Sequence, residues 1–285
     1  MFHYVTKNFN YYHFNVEKFD EVIKKLSKTK KIITLKDLKI LINKGQYLND
    51  DYIILTFDDG TIDHYKYVYP ILKKYGVSGV FFICSNIIEA NVLDIHLIHK
   101  LLSVASINDI YFEVNKYIKE NNLHEYIKDV ILNKESNYKE VYIKQMLQTL
   151  LPQKERKILL DKLVDIYNIS INYKDYYLSK ENIFEMKKNN MEFGCHTDNH
   201  KRLEYLSKKE QKEEIKNNLN ILYKNKILEK DDIVSIAYPF GSYNECTLEV
   251  INELKIDFAF TTKEGSVKEI KNYEILRYDC NKLKE

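Results

Sequence analysis

The sequence predicts an α/β fold, a closed or nearly closed parallel barrel carrying a helical insertion, on three observations. Short apolar runs that end in polar or glycine-containing turns alternate with stretches of helical periodicity. One strand, helix and strand succession fits within about 30 residues, the size of a parallel βαβ unit. From about residue 87 to residue 180 the strand pattern stops and long amphipathic stretches replace it. With 285 residues and 45% hydrophobic content the chain can fill one large core, so a single domain over 1–285 is expected.

Residues 16–28 place Val16, Phe19, Val22, Ile23 and Leu26 at helical spacing, with one stripe to bury. A strand is expected over 31–34 and a short helix over 35–44. The apolar run Tyr52-Ile53-Ile54-Leu55-Thr56-Phe57 reads as one buried strand that delivers Asp58-Asp59-Gly60 at its C-terminal end. Residues 65–75 are helical and close on Gly76, and 79–83 form the next buried strand. In the insertion, 93–105 and 139–151 are the clearest amphipathic stretches. The alternation then resumes with a helix over 180–190, a strand over 191–195 and a helix over 208–226. Strands over 233–237 and 258–262 flank a helix over 246–254. In such barrels the working residues sit where strands end at their C-terminal side, and the polar turns 58–60 and 196–200 both fall there.

The 44 basic and 42 acidic residues leave a net charge of +2, and the lysines are scattered. Nothing favours a nucleic acid or an anionic membrane, and a neutral or modestly charged substrate fits better. The start, Met1 to Lys7, lacks the basic and apolar regions of a secretory leader, and no run approaches the roughly 18 apolar residues of a membrane span. Four cysteines, Cys84, Cys195, Cys246 and Cys280, fall in no CxxC pair. A cytoplasmic protein without disulfides is expected.

Asp58 and Asp59 are neighbours at a strand exit, so their side chains diverge and can take different tasks. His196 and His200 stand four apart after another strand, where a helical turn would point both imidazoles to one side. Each cluster alone has a plain reading, a turn for Asp-Asp-Gly and surface positions for the histidines. Placed at the ends of two strands of one sheet they can converge. An aspartate with two histidines and open positions for water is the pattern of a catalytic divalent metal, with Zn2+ as the default. Cys195 alternates with His196 along the strand and belongs to the core.

The run Thr56-Phe57-Asp58-Asp59-Gly60 and the run His196-Thr197-Asp198-Asn199-His200 resemble the TFDD and H(S/T)xxH motifs of the polysaccharide deacetylase family, the NodB-like carbohydrate esterases of family 4. The likeness extends through Tyr69-Pro70-Ile71-Leu72 and Phe81-Phe82 and covers roughly 1–85 and 180–280. It implies a distorted (β/α) barrel and a metal-dependent hydrolase that removes an acetyl group from an N-acetylated sugar. Asp59, His196 and His200 would hold the metal, and Asp58 would act as base toward the attacking water. The family's third motif, RxPYG or a close variant, is met by Ala237-Tyr238-Pro239-Phe240-Gly241. The Phe240 N–H can still serve the oxyanion, while Ala237 stands where arginine is expected and Arg277 is the candidate replacement. The family's late histidine, the general acid, is missing, since no histidine follows His200. His3 and His64 are the candidates near the site, and His96 and His99 lie in the insertion.

The substrate expected is an intracellular, nucleotide- or lipid-linked precursor of a bacterial surface glycan such as an O-antigen or capsule. The insertion is a candidate lid or homo-oligomer contact. Two alternatives remain open, a non-catalytic carbohydrate-binding protein on a decayed deacetylase fold and a metal-dependent amidase with a non-sugar substrate.

Overall fold

The computed structural model describes residues 1–7, 13–44, 51–130, 137–265 and 271–280. Five parallel strands form the main sheet in sequential order: β1 (Thr56–Asp58), β2 (Val80–Ile83), β3 (Glu192–Cys195), β4 (Ser235–Ala237) and β5 (Phe258–Phe260). Single parallel bridges extend it at both edges, Phe2 beside Phe57 and Ile275 beside Phe260. These edges approach each other, because the Cys280 N–H donates to the Met1 carbonyl at 3.1 Å. The result is the distorted (β/α) barrel expected from the sequence.

Register explains how the sheet is filled. Phe57, Phe81 and Phe193 are aligned across β1 to β3, and their rings form a ladder with centroids 4.7 Å and 5.6 Å apart. On the opposite face Asp58, Phe82 and Gly194 are aligned. Phe82 fills the space that Gly194 leaves, since a Cβ on Gly194 would lie 2.6 Å from the Phe82 ring. Phe82 also meets Phe260 at 5.3 Å, in a cluster with Leu35, Val80, Ala237 and Ile275. Alternation along the strand thus sends Asp58 to the face opposite the Phe57 ladder.

The helices follow the predicted pattern closely. Val16–Thr29 buries Val16, Phe19 and Ile23, and the Asn15 side chain caps its start. Leu35–Asn43 opens on a Thr34–Asp37 capping box, and Lys180–Lys188, Lys208–Lys224 and Glu245–Glu253 are boxed in the same manner. The run 52–57 departs from the single strand expected. Tyr52–Ile53 pairs with Lys31–Ile32 in a separate two-stranded sheet, and only Thr56–Asp58 joins the barrel. The chain changes partner between the two, and Tyr52–Ile54 stay half-buried while Thr56–Asp58 are buried.

The chain divides into two compact units, 1–91 with 173–285, and 92–172. The second contains helices Asp94–Val104, Ile107–Glu120, Tyr138–Gln145 and Gln153–Ile166, with no strand among the described residues. Its own core gathers Ile98, Leu101, Val114, Ile118, Ile143 and Leu159.

Candidate metal centre

β1 ends by handing over two carboxylates in different directions. Asp58 is still in the strand, whereas Asp59 has left-handed backbone, φ 79°. That torsion, uncommon outside glycine, swings the second carboxylate away from the first. Gly60 continues the turn at φ 70°, and a Cβ there would collide with Ile83 and Ile87. Both aspartates are buried.

Asp59 Oδ1 lies 3.3 Å from His196 Nε2 and 3.3 Å from His200 Nε2. One ligand atom from each residue lies within 4.8 Å of the others, and all three residues are buried. The His196–His200 segment is a bent, irregular loop in place of the helical turn expected, with positive φ at Thr197 (62°) and His200 (56°). Its two rings meet edge to face at 4.8 Å. Burial opposes charge on His196, but the Asp59 and Asp58 carboxylates and the Ala237 carbonyl outweigh it and raise its pKa. The Nδ1–H of His196 donates to the Ala237 carbonyl at 2.8 Å, which leaves the Nε2 lone pair directed at the centre.

This unusual loop is braced from helix Lys208–Lys224. The Asn218 amide donates to the Ile83 carbonyl at 2.9 Å and to the Thr197 carbonyl at 2.6 Å. The Glu214 carboxylate accepts from the Asn199 N–H at 2.9 Å, from the Asn199 amide at 3.0 Å and from Lys201 at 2.8 Å. The sequence reading missed both residues. Their signal was present, because Gln211, Glu214 and Asn218 are polar positions spaced three and four apart on the face that also buries Ile215, Leu219 and Leu222.

Arg277 sits against Asp58. Its two terminal nitrogens donate to Oδ1 and Oδ2, each at 2.9 Å, while Nε donates to the Thr261 carbonyl at 2.7 Å. Burial pushes the Asp58 carboxyl up, yet the Arg277 guanidinium, with His196 and His3, outweighs it and brings the pKa down to about 2. Ala237 contributes its carbonyl to His196 and no charge. Phe240 follows Pro239 in a tight turn with φ 58°, its ring 4.7 Å from that of His200. Gly241 is held at φ 66° against Thr262, whose side chain occupies the place of any Cβ.

The two nearby histidines differ. His3 Nε2 is 3.9 Å from Asp58 Oδ2, and its side chain is 35% exposed. His64 is wholly buried against Phe57 and Phe81, and its Nε2–H donates to the His3 carbonyl at 2.7 Å. Burial brings its pKa down to about 4, so it is neutral at neutral pH and a poor proton donor. Because the folded value lies below the unfolded one, its contribution to stability is full above pH 6.5. That contribution is lost as the pH falls through 6.5 to about 4, in total about 3 kcal/mol. Denaturant unfolding at pH 7 and pH 4 should show this loss, and His64→Gln should flatten it. An unchanged slope in the variant would refute the assignment. His96 and His99 belong to the helical unit, where His96 is buried. Cys84 and Cys195 are buried thiols, and burial pushes Cys195 up to about 12, which suits core packing over ligation. None of the four cysteines is joined in a disulfide.

Paired carboxylates at one strand exit of a parallel barrel meet paired imidazoles at another, a donor set that could hold a metal ion. The family model for polysaccharide deacetylases matches residues 45–149 and 158–259, and the chain belongs to that family. The match runs through much of the helical segment and stops before Arg277. The YxkH protein of Bacillus subtilis is 34% identical over 50 residues, which is 18% of this chain and 18% of that protein. The chain resembles the Streptococcus pyogenes deacetylase PplD, solved in complex with acetate, with a TM-score of 0.60 and 21% identity over 97% of this chain and 88% of that one. IcaB from Ammonifex degensii gives 0.58 and 14% identity over 97% and 88%. A de-N-acetylase from Aggregatibacter actinomycetemcomitans gives 0.58 and 13% over 97% and 91%. At these identities the structural likeness is one of fold.

Proposed function

We propose that this chain is a metal-dependent hydrolase that removes the acetyl group from an N-acetylated sugar. The observation that carries the reading is the convergence of Asp59 Oδ1 with the Nε2 atoms of His196 and His200. These donors fit a divalent ion. One carboxylate and two imidazoles suit Zn2+, and the His196 Nδ1 contact supplies the outer hydrogen bond that such ligands keep. An ion so held would polarise the acetamide carbonyl and lower the pKa of water beside it.

The protein's own groups supply the rest. Asp58 is kept ionised by Arg277 and accepts the proton of the attacking water. A carboxyl near pKa 2 is a weak base, so it can act only on water already acidified. The Phe240 N–H, presented by its left-handed turn, is the donor for the developing oxyanion. His3 beside Asp58 is placed to protonate the departing amine. The finer assignment is part of the same proposal, namely a cytoplasmic protein that acts on a precursor of bacterial surface polysaccharide. Among the described residues no helix is long and apolar enough to cross a membrane.

Acetate release from N-acetylated sugar precursors and short glycans tests the reading. Activity should need one equivalent of Zn2+ or a related ion, vanish on chelation and return on re-addition. Asp59→Ala should bind no metal under the same conditions. Full turnover by chelated protein would sink the proposal. A metal-replete protein inert toward every sugar tried would favour the carbohydrate-binding reading.

A further inference from the structure

Only 3 of the 44 basic residues are arginine. In so lysine-rich a chain, a guanidinium marks a position where an ammonium does not serve, because the planar fork binds oxyanions through two parallel hydrogen bonds and stacks on rings. Arg277 is engaged by Asp58, and Arg156 donates to the Gln148 carbonyl. Arg202 is different. It follows the metal-ligand loop by two residues, and its guanidinium carbon lies 4.2 Å from the Phe240 ring centroid. The same ring lies 4.7 Å from that of His200. Arg202 is therefore joined to the metal centre through a single aromatic side chain.

Among the described residues this guanidinium has no hydrogen bond and no ion pair, and its Nε is buried without a partner. Glu204 and Tyr205 are the charged or titratable neighbours that act on it, and neither reaches it as a salt bridge. Stacking on Phe240 recovers only part of what a partly buried cation loses from water. The remaining donors are left able to meet an oxyanion.

We infer that Arg202 and Phe240 form an oxyanion subsite beside the metal ligands, which takes a phosphate or carboxylate group carried by the N-acetylated sugar itself. This rests on the deacetylase reading and narrows it, because neutral polymers lack such a group. The two arms of chemistry are separable. A sugar phosphate presents the oxyanion of a nucleotide- or lipid-linked precursor, and an acidic sugar presents a carboxylate.

The test compares wild type, Arg202→Lys and Arg202→Ala on N-acetylglucosamine 1-phosphate, N-acetylmuramic acid and neutral N,N′-diacetylchitobiose. Acetate release is measured, and so is calorimetric binding of the same compounds to zinc-loaded Asp58→Asn protein with and without the Arg202 changes. Arg202→Ala should raise KM and Kd for one charged compound about 10- to 100-fold, the worth of hydrogen bonds to a charged group. The neutral sugar should shift less than about threefold and kcat should hold. Arg202→Lys, which keeps the charge and the fold, should fall between. Whichever charged compound responds identifies phosphate or carboxylate. Equal losses on neutral and charged sugars would mean that Arg202 only props Phe240, and no loss on either charged sugar would equally overturn the inference. If wild type releases acetate from none of the three, the deacetylase reading fails for them, while the binding arm still decides whether the subsite exists.

Discussion

Asp58→Asn is expected to lower kcat by about 10³-fold, within the range for loss of a positioned general base, while metal content stays at the wild-type level. An amide keeps the shape of the side chain but cannot accept the water's proton. It also turns one NH2 toward an Arg277 nitrogen where both carboxylate oxygens now accept at 2.9 Å. A modest fall in stability should therefore accompany the loss of turnover. Single-turnover acetate release on metal-loaded protein separates the two effects, and a variant within tenfold of wild type would remove Asp58 from the reaction.

Arg277→Ala should have the largest effect on the folded state. It would strand a fully buried carboxylate whose burial already presses its pKa upward. Breaking a buried ion pair from one side costs about 3–5 kcal/mol, so the denaturation midpoint should fall sharply. The acidic limb of activity should also move to higher pH, because the main influence lowering the Asp58 pKa is gone. In the double variant Asp58→Ala with Arg277→Ala, much of the stability should return, since no uncompensated charge remains. Stability of Arg277→Ala within about 1 kcal/mol of wild type would contradict the pairing, given that magnitude.

What could be read from the residues, and what could not, divides along local and distant interactions. The strands carrying Asp58 and preceding His196 announced themselves as apolar runs ending in polar turns, and the helices by their stripes and caps. The break within 52–57 left no trace, since Ile53, Ile54 and Leu55 are equally apolar and only the change of pairing partner separates the two strands. The His196–His200 loop was expected to be helical because spacing alone suggests it. Positive φ at Thr197 and His200 occurs in a loop that Glu214 and Asn218 grip from another element. The arginine missing at Ala237 was visible as an absence. That Arg277 reaches Asp58 follows from the meeting of the barrel's edges, a matter of tertiary closure. Arg202 passed unnoticed because nothing in HKRL distinguishes a stacked guanidinium from a surface one.

The meeting of those edges also bears on how the protein comes into being. Asp58 and Arg277 are separated by 219 positions, and the N-terminal strand segment at Phe2 lies beside β1 as well. During synthesis the first βαβ unit can emerge and pair long before its buried carboxylate has a countercharge. The ribosome must deliver residue 277 before that cost is relieved, so the nascent barrel carries an uncompensated carboxylate until Arg277 has emerged. Chemical competence is thus acquired late, and a chain cut short of Arg277 would be both unstable and inert, which ties the onset of activity to the completion of the fold.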